Sequence, residues 1–290
     1  MNLLMSDMQK YMTLTDCPYC HTTPATEMAK SPRVVRCNTC GLWRFSPRMN
    51  KEGQVAYLEK FNDGIETANQ ENPLNYWEGN LDEVQELKRN FREMVSDGTI
   101  LDVGTGEGAF LATLQNAGAF RAIGLEPLEK LAQCGKSAGL DIHVGRFESD
   151  GMPPALMGTV FDIVCFRESV YYLPDLRQAF NLLRRILRPG GGLYLHCHVP
   201  TSIYYWKNRN YLSRYGPNVS GMPTVKALTN ILIKEGYEIL KAGYLRRNVL
   251  HTLGLPFANL RVGGIIDSAL WPVVHRLGKA DRAVIFARRL

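Results

Sequence analysis

The sequence predicts an α/β fold, a mainly parallel sheet covered by helices on both faces, with a small cysteine module in front. Three observations carry this. From Thr99 onward, short continuous apolar runs alternate with segments of helical period, as expected of strands buried on both faces. The first run, in "TILDVGTGEGAF", breaks into three alternating glycines, Gly104, Gly106 and Gly108, so a strand ends in a tight loop that opens a helix. Ahead of both, Cys17, Cys20, Cys37 and Cys40 are spaced C-x2-C-x16-C-x2-C.

The cysteine module comes first along the chain. Each C-x2-C is a knuckle that aims two thiolates at one metal, and two knuckles complete a closed tetrahedral site. A structural zinc is the expectation, without a catalytic role, because no coordination position stays open. Two disulfides are the alternative. The odd total of seven cysteines and the absence of a leader-like apolar segment in "MNLLMSDMQKYM" argue against them. Cys134, Cys165 and Cys197 stand in apolar surroundings and read as small buried hydrophobes. Residues 1–48 are assigned to the zinc ribbon, with "CNTCGLWRFSPRM" as its closing hairpin.

Residues 49–95 are read as a linker with covering helices. Leu81, Val84, Leu87, Phe91 and Met94 recur at helical spacing, with Asn80 as expected N-cap and Gly98 as stop. In residues 96–290, strands are expected at "TILDV", "FRAIGLE", "DIHV", "FDIVCF", "GLYLHCHV", "YEILKAGYL" and "AVIFAR". Helices are expected at 107–117, 128–138, 175–187 and 224–235.

At 290 residues, with 45% hydrophobic and 21% charged residues and a net charge of +6, the chain reads as a globular protein of one large domain and a small one. Its Lys and Arg are scattered, which weighs against a dedicated nucleic-acid binder. No apolar run reaches the roughly 18 residues a membrane span needs; the nearest, "GLPFANLRVGGIIDSALWPVV", is broken by Arg261 and Asp267. A cytoplasmic location is the default.

Charge favours one reading of the glycine loop over the other. A dinucleotide pyrophosphate wants N–H groups and no adjacent carboxylate. Here Asp102 precedes the first glycine by two residues and Glu107 lies within the loop. S-adenosylmethionine (SAM) brings an ammonium and a sulfonium, which suit such a setting. Glu126 ends the second strand, where a carboxylate can accept both ribose hydroxyls, a feature that fits either ligand.

With "LDVGTGEG", "GLEP", "FDIVCFRESVYYLPD" and "LRPGGGLYLHCHVP" in this order, the chain resembles the class I SAM-dependent methyltransferases over about residues 96–290. The resemblance implies a three-layer Rossmann-like sandwich with a seven-stranded, mostly parallel sheet whose last strand is antiparallel. It implies that the methionyl end lies over Asp102, Gly104, Thr105, Gly106 and Gly108, with Glu126 on the ribose. Pro127 and Phe147 are candidates for the adenine, and Arg167 completes the expected cofactor-binding set. An acid after the third-strand glycine is common in the family, whereas Arg146 follows Gly145 here, with Glu148 as a substitute. The four-cysteine ribbon is similar to that of bacterial methyltransferases linked to sugars, glycans and secondary metabolites. A small-molecule or saccharide acceptor is therefore expected ahead of RNA, and an inactive cofactor-binding module is a third reading.

Transfer to a hydroxyl needs a base. Many relatives carry a His where "VYYLPD" puts Tyr172, so the base must lie elsewhere. His196 and His198 share one face at the C-terminal end of the fifth strand, the ligand-binding end of such sheets. His198, nearer the strand end, is the expected base, with Tyr172 orienting the acceptor and Glu168 beside cofactor or acceptor. Residues 204–214 interleave Tyr204, Tyr205, Trp206 and Tyr211 with Lys207, Arg209 and Arg214, a mixture suited to sugars or anions. Residues 248–276 read as core, a dimer face or a peripheral membrane contact, and the sequence does not choose.

Overall fold

The computed structural model of the chain describes residues 8–30, 33–64, 77–94, 98–118, 120–203, 218–245 and 261–290. Residues 204–214, and 248–260 of the apolar segment, lie outside these.

The N-terminal module is built of short strands. β1 (Met12–Leu14) pairs antiparallel with β5 (Arg48–Met49). β2 (Ala25–Lys30), β3 (Arg33–Cys37) and β4 (Trp43–Phe45) form a three-stranded antiparallel sheet. Helix α1 (Lys51–Gly64) follows, then α2 (Trp77–Asn90).

The main body is a seven-stranded sheet. Its strands are β6 (Gly98–Val103), β7 (Phe120–Glu126), β8 (Ile142–Val144), β9 (Phe161–Arg167), β10 (Leu187–His198), β11 (Tyr237–Tyr244) and β12 (Arg282–Arg289). They lie in the order β11-β12-β10-β9-β6-β7-β8. β12 runs antiparallel to β10 and β11, and the remaining pairings are parallel. The connecting helices are α3 (Ala109–Asn116), α4 (Glu129–Ser137), α5 (Pro154–Met157), α6 (Leu176–Ile186), α7 (Val225–Lys234) and α8 (Arg261–Arg276). Sequence supplies the helix starts: Asp175 accepts the Gln178 N–H and Thr224 the Ala227 N–H.

The core splits into two clusters by strand alternation. Leu101, Val103, Val164, Phe166, Leu193 and Leu195 face one way, toward α6 and α7. Ile100, Ile163, Cys165, Tyr194 and Phe286 face the other, where Val84 and Leu87 of α2 and Phe91 just past its end cover them. Each such fully buried side chain is worth about 1.5–3 kcal/mol of apolar transfer. α2 sits close: a Cβ on Gly192 would fall 2.8 Å from the Phe91 ring, so the "PGGG" segment needs glycine there. The cysteine module joins the first cluster through Tyr19, Leu42, Trp43 and Phe45. Backbone bonds fix it, Trp43 N–H to Met222 O at 3.1 Å and Met222 N–H to Trp43 O at 2.7 Å. Tyr19 Oη also donates to Glu235 Oε1 at 2.8 Å.

Two expectations for residues 80–98 need correction. α2 starts at Trp77, three residues early, so Asn80 lies inside the helix and its amide is taken by Arg167 (2.9 Å). The helix stops at Asn90, a single turn follows at Arg92–Met94, and Gly98 opens β6. Leu81, expected on the apolar stripe, is 44% exposed, while Asn80 and Glu83 are buried.

Candidate active site and cysteine cluster

The glycine loop runs from β6 into α3. Gly104 N–H and Thr105 N–H both donate to Leu125 O, at 2.7 and 3.2 Å, which pins the loop to the end of β7. Gly104, Gly106 and Gly108 all have positive φ, +76°, +61° and +88°, conformations that only glycine adopts at little cost. Glu126, also buried, closes the loop from the other side. Its Oε2 accepts the Gly106 N–H at 2.8 Å and its Oε1 the Leu128 N–H at 3.0 Å. Burial pushes its pKa up, and these two amides oppose the shift.

Asp102 is 1% exposed and burial pushes its carboxyl up to about 6, against the pull of the Arg167 guanidinium. Its Oδ1 and the Thr105 Oγ1 are buried outside hydrogen-bond geometry, although the Thr105 hydroxyl is near enough to draw the Asp102 pKa down. Such orphaned groups are costly, and a ligand bearing an ammonium and hydroxyls satisfies both kinds. A Cβ on Gly106 would meet no atom within 4 Å, so the loop leaves open space at this position. These features fit the SAM that the sequence implies. Phe147 is buried edge-on against Phe166, with centroids 5.1 Å apart. Glu148 is engaged by Arg146 at 3.0 Å and by Lys51 at 2.9 Å.

Arg167, expected among the cofactor-binding residues, is bonded instead to α2. Its Nε donates to Glu83 Oε2 at 2.8 Å and its Nη2 to Glu83 Oε1 at 3.1 Å, with the guanidinium 4.0 Å above the Phe110 ring centroid. Glu83 also accepts from Tyr194 Oη at 2.8 Å and lies 3.3 Å from His196 Nδ1. These partners hold the Glu83 carboxyl well below the usual range against the cost of burial.

At the C-terminal edge of the sheet, Glu168 is the hub. It is a non-glycine residue at φ +56°, a strained conformation of a kind that collects at functional sites. Tyr171 Oη donates to its Oε2 at 2.9 Å, and Arg282 Nη1 lies 2.9 Å from Oε1. His196 Nε2 is 3.4 Å from Oε1 and His198 Nε2 is 3.5 Å from Oε2. The His196 side chain is 2% exposed and that of His198 24%. Burial lowers the His198 pKa below its ordinary 6.5 against the pull of Glu168, so the ring is neutral at pH 7 and able to take a proton. Tyr172 is 39% exposed and packs on the Tyr171 ring, with centroids 4.5 Å apart. The sequence singles out Glu168, Tyr172, His196 and His198, and the structure brings them together around Tyr171. It adds Glu83 and Arg282, which the sequence reading missed.

The four ribbon cysteines converge, their Sγ atoms all within 4.8 Å of one another. Cys17–Cys40 is 3.5 Å, Cys20–Cys37 3.3 Å and Cys20–Cys40 3.8 Å. Four thiolates about 2.3 Å from a tetrahedral zinc stand roughly 3.8 Å apart, so the donor set fits the metal. No disulfide joins them. The contact with Cys40, helped by the Cys20 and Tyr19 amides, draws the Cys17 thiol down to about 5 despite burial.

Among the described residues no helix is long and apolar enough to cross a membrane. The sequence profile of the family described as "Methyltransferase domain" matches residues 76–242, more than half of the chain. The chain is 27% identical over 158 residues to a sterol 24-C-methyltransferase of Kluyveromyces lactis, covering 51% of this chain and 43% of that protein. A sterol 24-C-methyltransferase of Eremothecium gossypii gives 27% over 156 residues, 51% of this chain and 42% of the other. The chain thus spans less than half the length of both relatives. Among solved structures, a SAM-dependent methyltransferase from Archaeoglobus fulgidus superposes with TM-score 0.52 at 17% identity, covering 72% of this chain and 94% of that one. Geranyl diphosphate C-methyltransferase from Streptomyces coelicolor A3(2) gives 0.51 at 17% identity, covering 72% and 78%. The matched profile, the strand order with its one antiparallel member and the glycine loop closed by Glu126 agree, and the chain belongs to the class I SAM-dependent methyltransferases.

Proposed function

We propose that this methyltransferase acts on a small organic acceptor, a saccharide or similar alcohol, and transfers the methyl to a hydroxyl oxygen. The observation that carries this is the contact of neutral His198 with Glu168 at the sheet edge, 3.5 Å apart. When bound, SAM supplies an electrophilic methyl on a sulfonium. Asp102 accepts its ammonium, the Gly104–Gly108 loop and Thr105 line the methionyl end, and Glu126 accepts the ribose hydroxyls. Pro127 and Phe147 supply apolar surface for the adenine. At the acceptor, Tyr172 orients the substrate and His198 takes the hydroxyl proton, as the oxygen attacks, on the ring nitrogen that does not face Glu168. Glu168, fixed by Tyr171 and Arg282, faces the imidazolium that forms. Cys17, Cys20, Cys37 and Cys40 hold a structural zinc that keeps the ribbon folded against α6 and α7. The proposed division is 1–48 for the ribbon, 49–95 for the linker and covering helices, and 96–290 for the catalytic domain, to which α2 lends Glu83.

Methylation at carbon is a second reading, favoured by the names of both curated relatives. There, Glu168 would face a developing carbocation in place of an imidazolium. Incubation with methyl-13C-labelled SAM and a panel of saccharides, phenols, sterols and prenyl diphosphates separates the two, because the product carbon resonates as either a methoxy or a C-methyl group. A C-methyl product overturns O-methylation, and binding of no SAM at all overturns both.

A further inference from the structure

The cofactor loop and the acid–base edge are linked by one buried side chain, which reaches Arg167 on one side and His196 on the other. Glu83 is 6% exposed and stands on α2, ahead of the sheet. It grips Arg167 with both carboxylate oxygens, at 2.8 and 3.1 Å, while Asn80 takes a third contact at 2.9 Å. Arg167 ends β9, beside β6, which carries Asp102: Asp102 pairs with Cys165, two residues before Arg167. Arg167 and Asp102 each feel the other's charge. A guanidinium whose charge reaches a buried carboxylate on the neighbouring strand can pair with it, yet Asp102 Oδ1 has no hydrogen-bond partner.

Resting on the assignment of Asp102 to the cofactor ammonium, we infer that Glu83 is a positioning residue that holds Arg167 back from Asp102 and so keeps that carboxylate available to the cofactor. Without the Glu83 charge, Arg167 loses its bidentate anchor. The other buried carboxylate acting on Arg167 is Asp102, and a guanidinium seated there competes for the oxygen the ammonium needs. The phenyl ring of Phe110 under the guanidinium helps to fix the held-back position, 4.0 Å from ring centroid to Cζ.

The test needs no acceptor. SAM and S-adenosylhomocysteine (SAH) binding is measured by calorimetry on the full chain and on Glu83→Gln, Arg167→Gln, the double variant and Tyr194→Phe. Both ligands carry the ammonium and only SAM the sulfonium. Loss of a charge-assisted contact predicts that Glu83→Gln weakens both by roughly ten- to a hundredfold. The double variant should recover most of that loss, because no guanidinium remains to compete, a rescue that a merely structural role of Glu83 would not produce. Tyr194→Phe removes another Glu83 contact without freeing Arg167 and should bind both ligands normally. Loss of SAM binding alone would point to long-range charge and overturn the inference. So would failure of the double variant to recover while its thermal melt matches the parent, or loss of both ligands in Arg167→Gln alone. Failure of the parent chain to bind either ligand would strike the cofactor reading instead.

Discussion

Glu168 and His196 are joined twice. The Glu168 N–H donates to the His196 carbonyl at 2.7 Å, and the His196 Nε2 lies 3.4 Å from Glu168 Oε1. The backbone bond extends the β9–β10 pairing by one residue past its last register pair, Arg167 with His196. At that residue the chain turns to φ +56°, and its carboxylate lies 3.4 Å from His196 Nε2 and 3.5 Å from His198 Nε2. Strain of about 1–3 kcal/mol is thus tied to an acid–base constellation at the sheet edge.

From this constellation, replacing His198 by alanine is expected to cut turnover about 10²–10⁴-fold with SAM affinity unchanged. Burial holds the His198 pKa below 6.5, so the acid limb of the parent's rate profile should lie below that pH, with a plateau above it. Full activity in the alanine variant, assayed on the methylated acceptor found in the panel above, would pass the role to Glu168 or Tyr172.

Gly106 tests the cofactor loop. A side chain there finds no neighbour within 4 Å, and its φ is +61°. Gly106→Leu should therefore still fold, at a backbone cost of about 1–2 kcal/mol, while its side chain enters the open space beside the loop. Calorimetry should show SAM binding abolished alongside a thermal melt only modestly lowered. Retained binding would place the cofactor elsewhere.

The sequence showed the sheet and loop clearly and the polar linkage poorly, for physical reasons. Strands such as "FDIVCF" are buried on both faces and announce themselves by composition, and "TILDVGTGEG" needs glycines whose φ values admit little else. Glu83 is different. Its partners Tyr194 and His196 lie 111 and 113 residues away, and no local pattern encodes such a meeting. A signal existed nonetheless: Glu83, Leu87, Phe91 and Met94 share one helical face, and a carboxylate among three buried apolar residues calls for a partner. Counting Leu81 into the stripe hid it. Arg282 was missed similarly, since a cation opening the last strand looks solvated until β12 is known to pair its Arg282 with His198.

The zinc prediction concerns stability. The purified chain should carry one zinc, and Cys37→Ser should lose it. The ribbon shares a core with α6 and α7 through Tyr19, Trp43 and Phe45, so losing the metal should lower the melting temperature of the whole chain as well as unfold the ribbon. Metal analysis with and without a strong chelator, followed by thermal melts, checks both parts. Zinc-free protein with bridged cysteines and an unchanged melt would refute the assignment.

Asp102 should trade stability for cofactor binding. Its folded pKa of about 6 stands above the ordinary aspartate value of 3.8, so between about pH 4 and 6 the folded chain holds a proton that the unfolded chain has released. Stability therefore falls as pH rises through that window, and above about 6 the full penalty of a buried carboxylate is present, on the order of 1–3 kcal/mol. Asp102→Asn removes the penalty. The variant should melt higher than the parent at pH 7–8, and the difference should shrink toward zero as the pH approaches 4. Its SAM affinity at pH 7.5 should drop roughly tenfold or more, because a neutral amide cannot pair with the ammonium. Parent affinity should itself weaken below about pH 6, where the free carboxyl is protonated and binding must first expel that proton. Melts over pH 4–8 together with calorimetry at pH 5.5 and 7.5 measure all three effects. An asparagine variant that melts lower than the parent at pH 8, or binds SAM as well at pH 7.5, would show that the buried carboxylate is there for the fold and not for the cofactor.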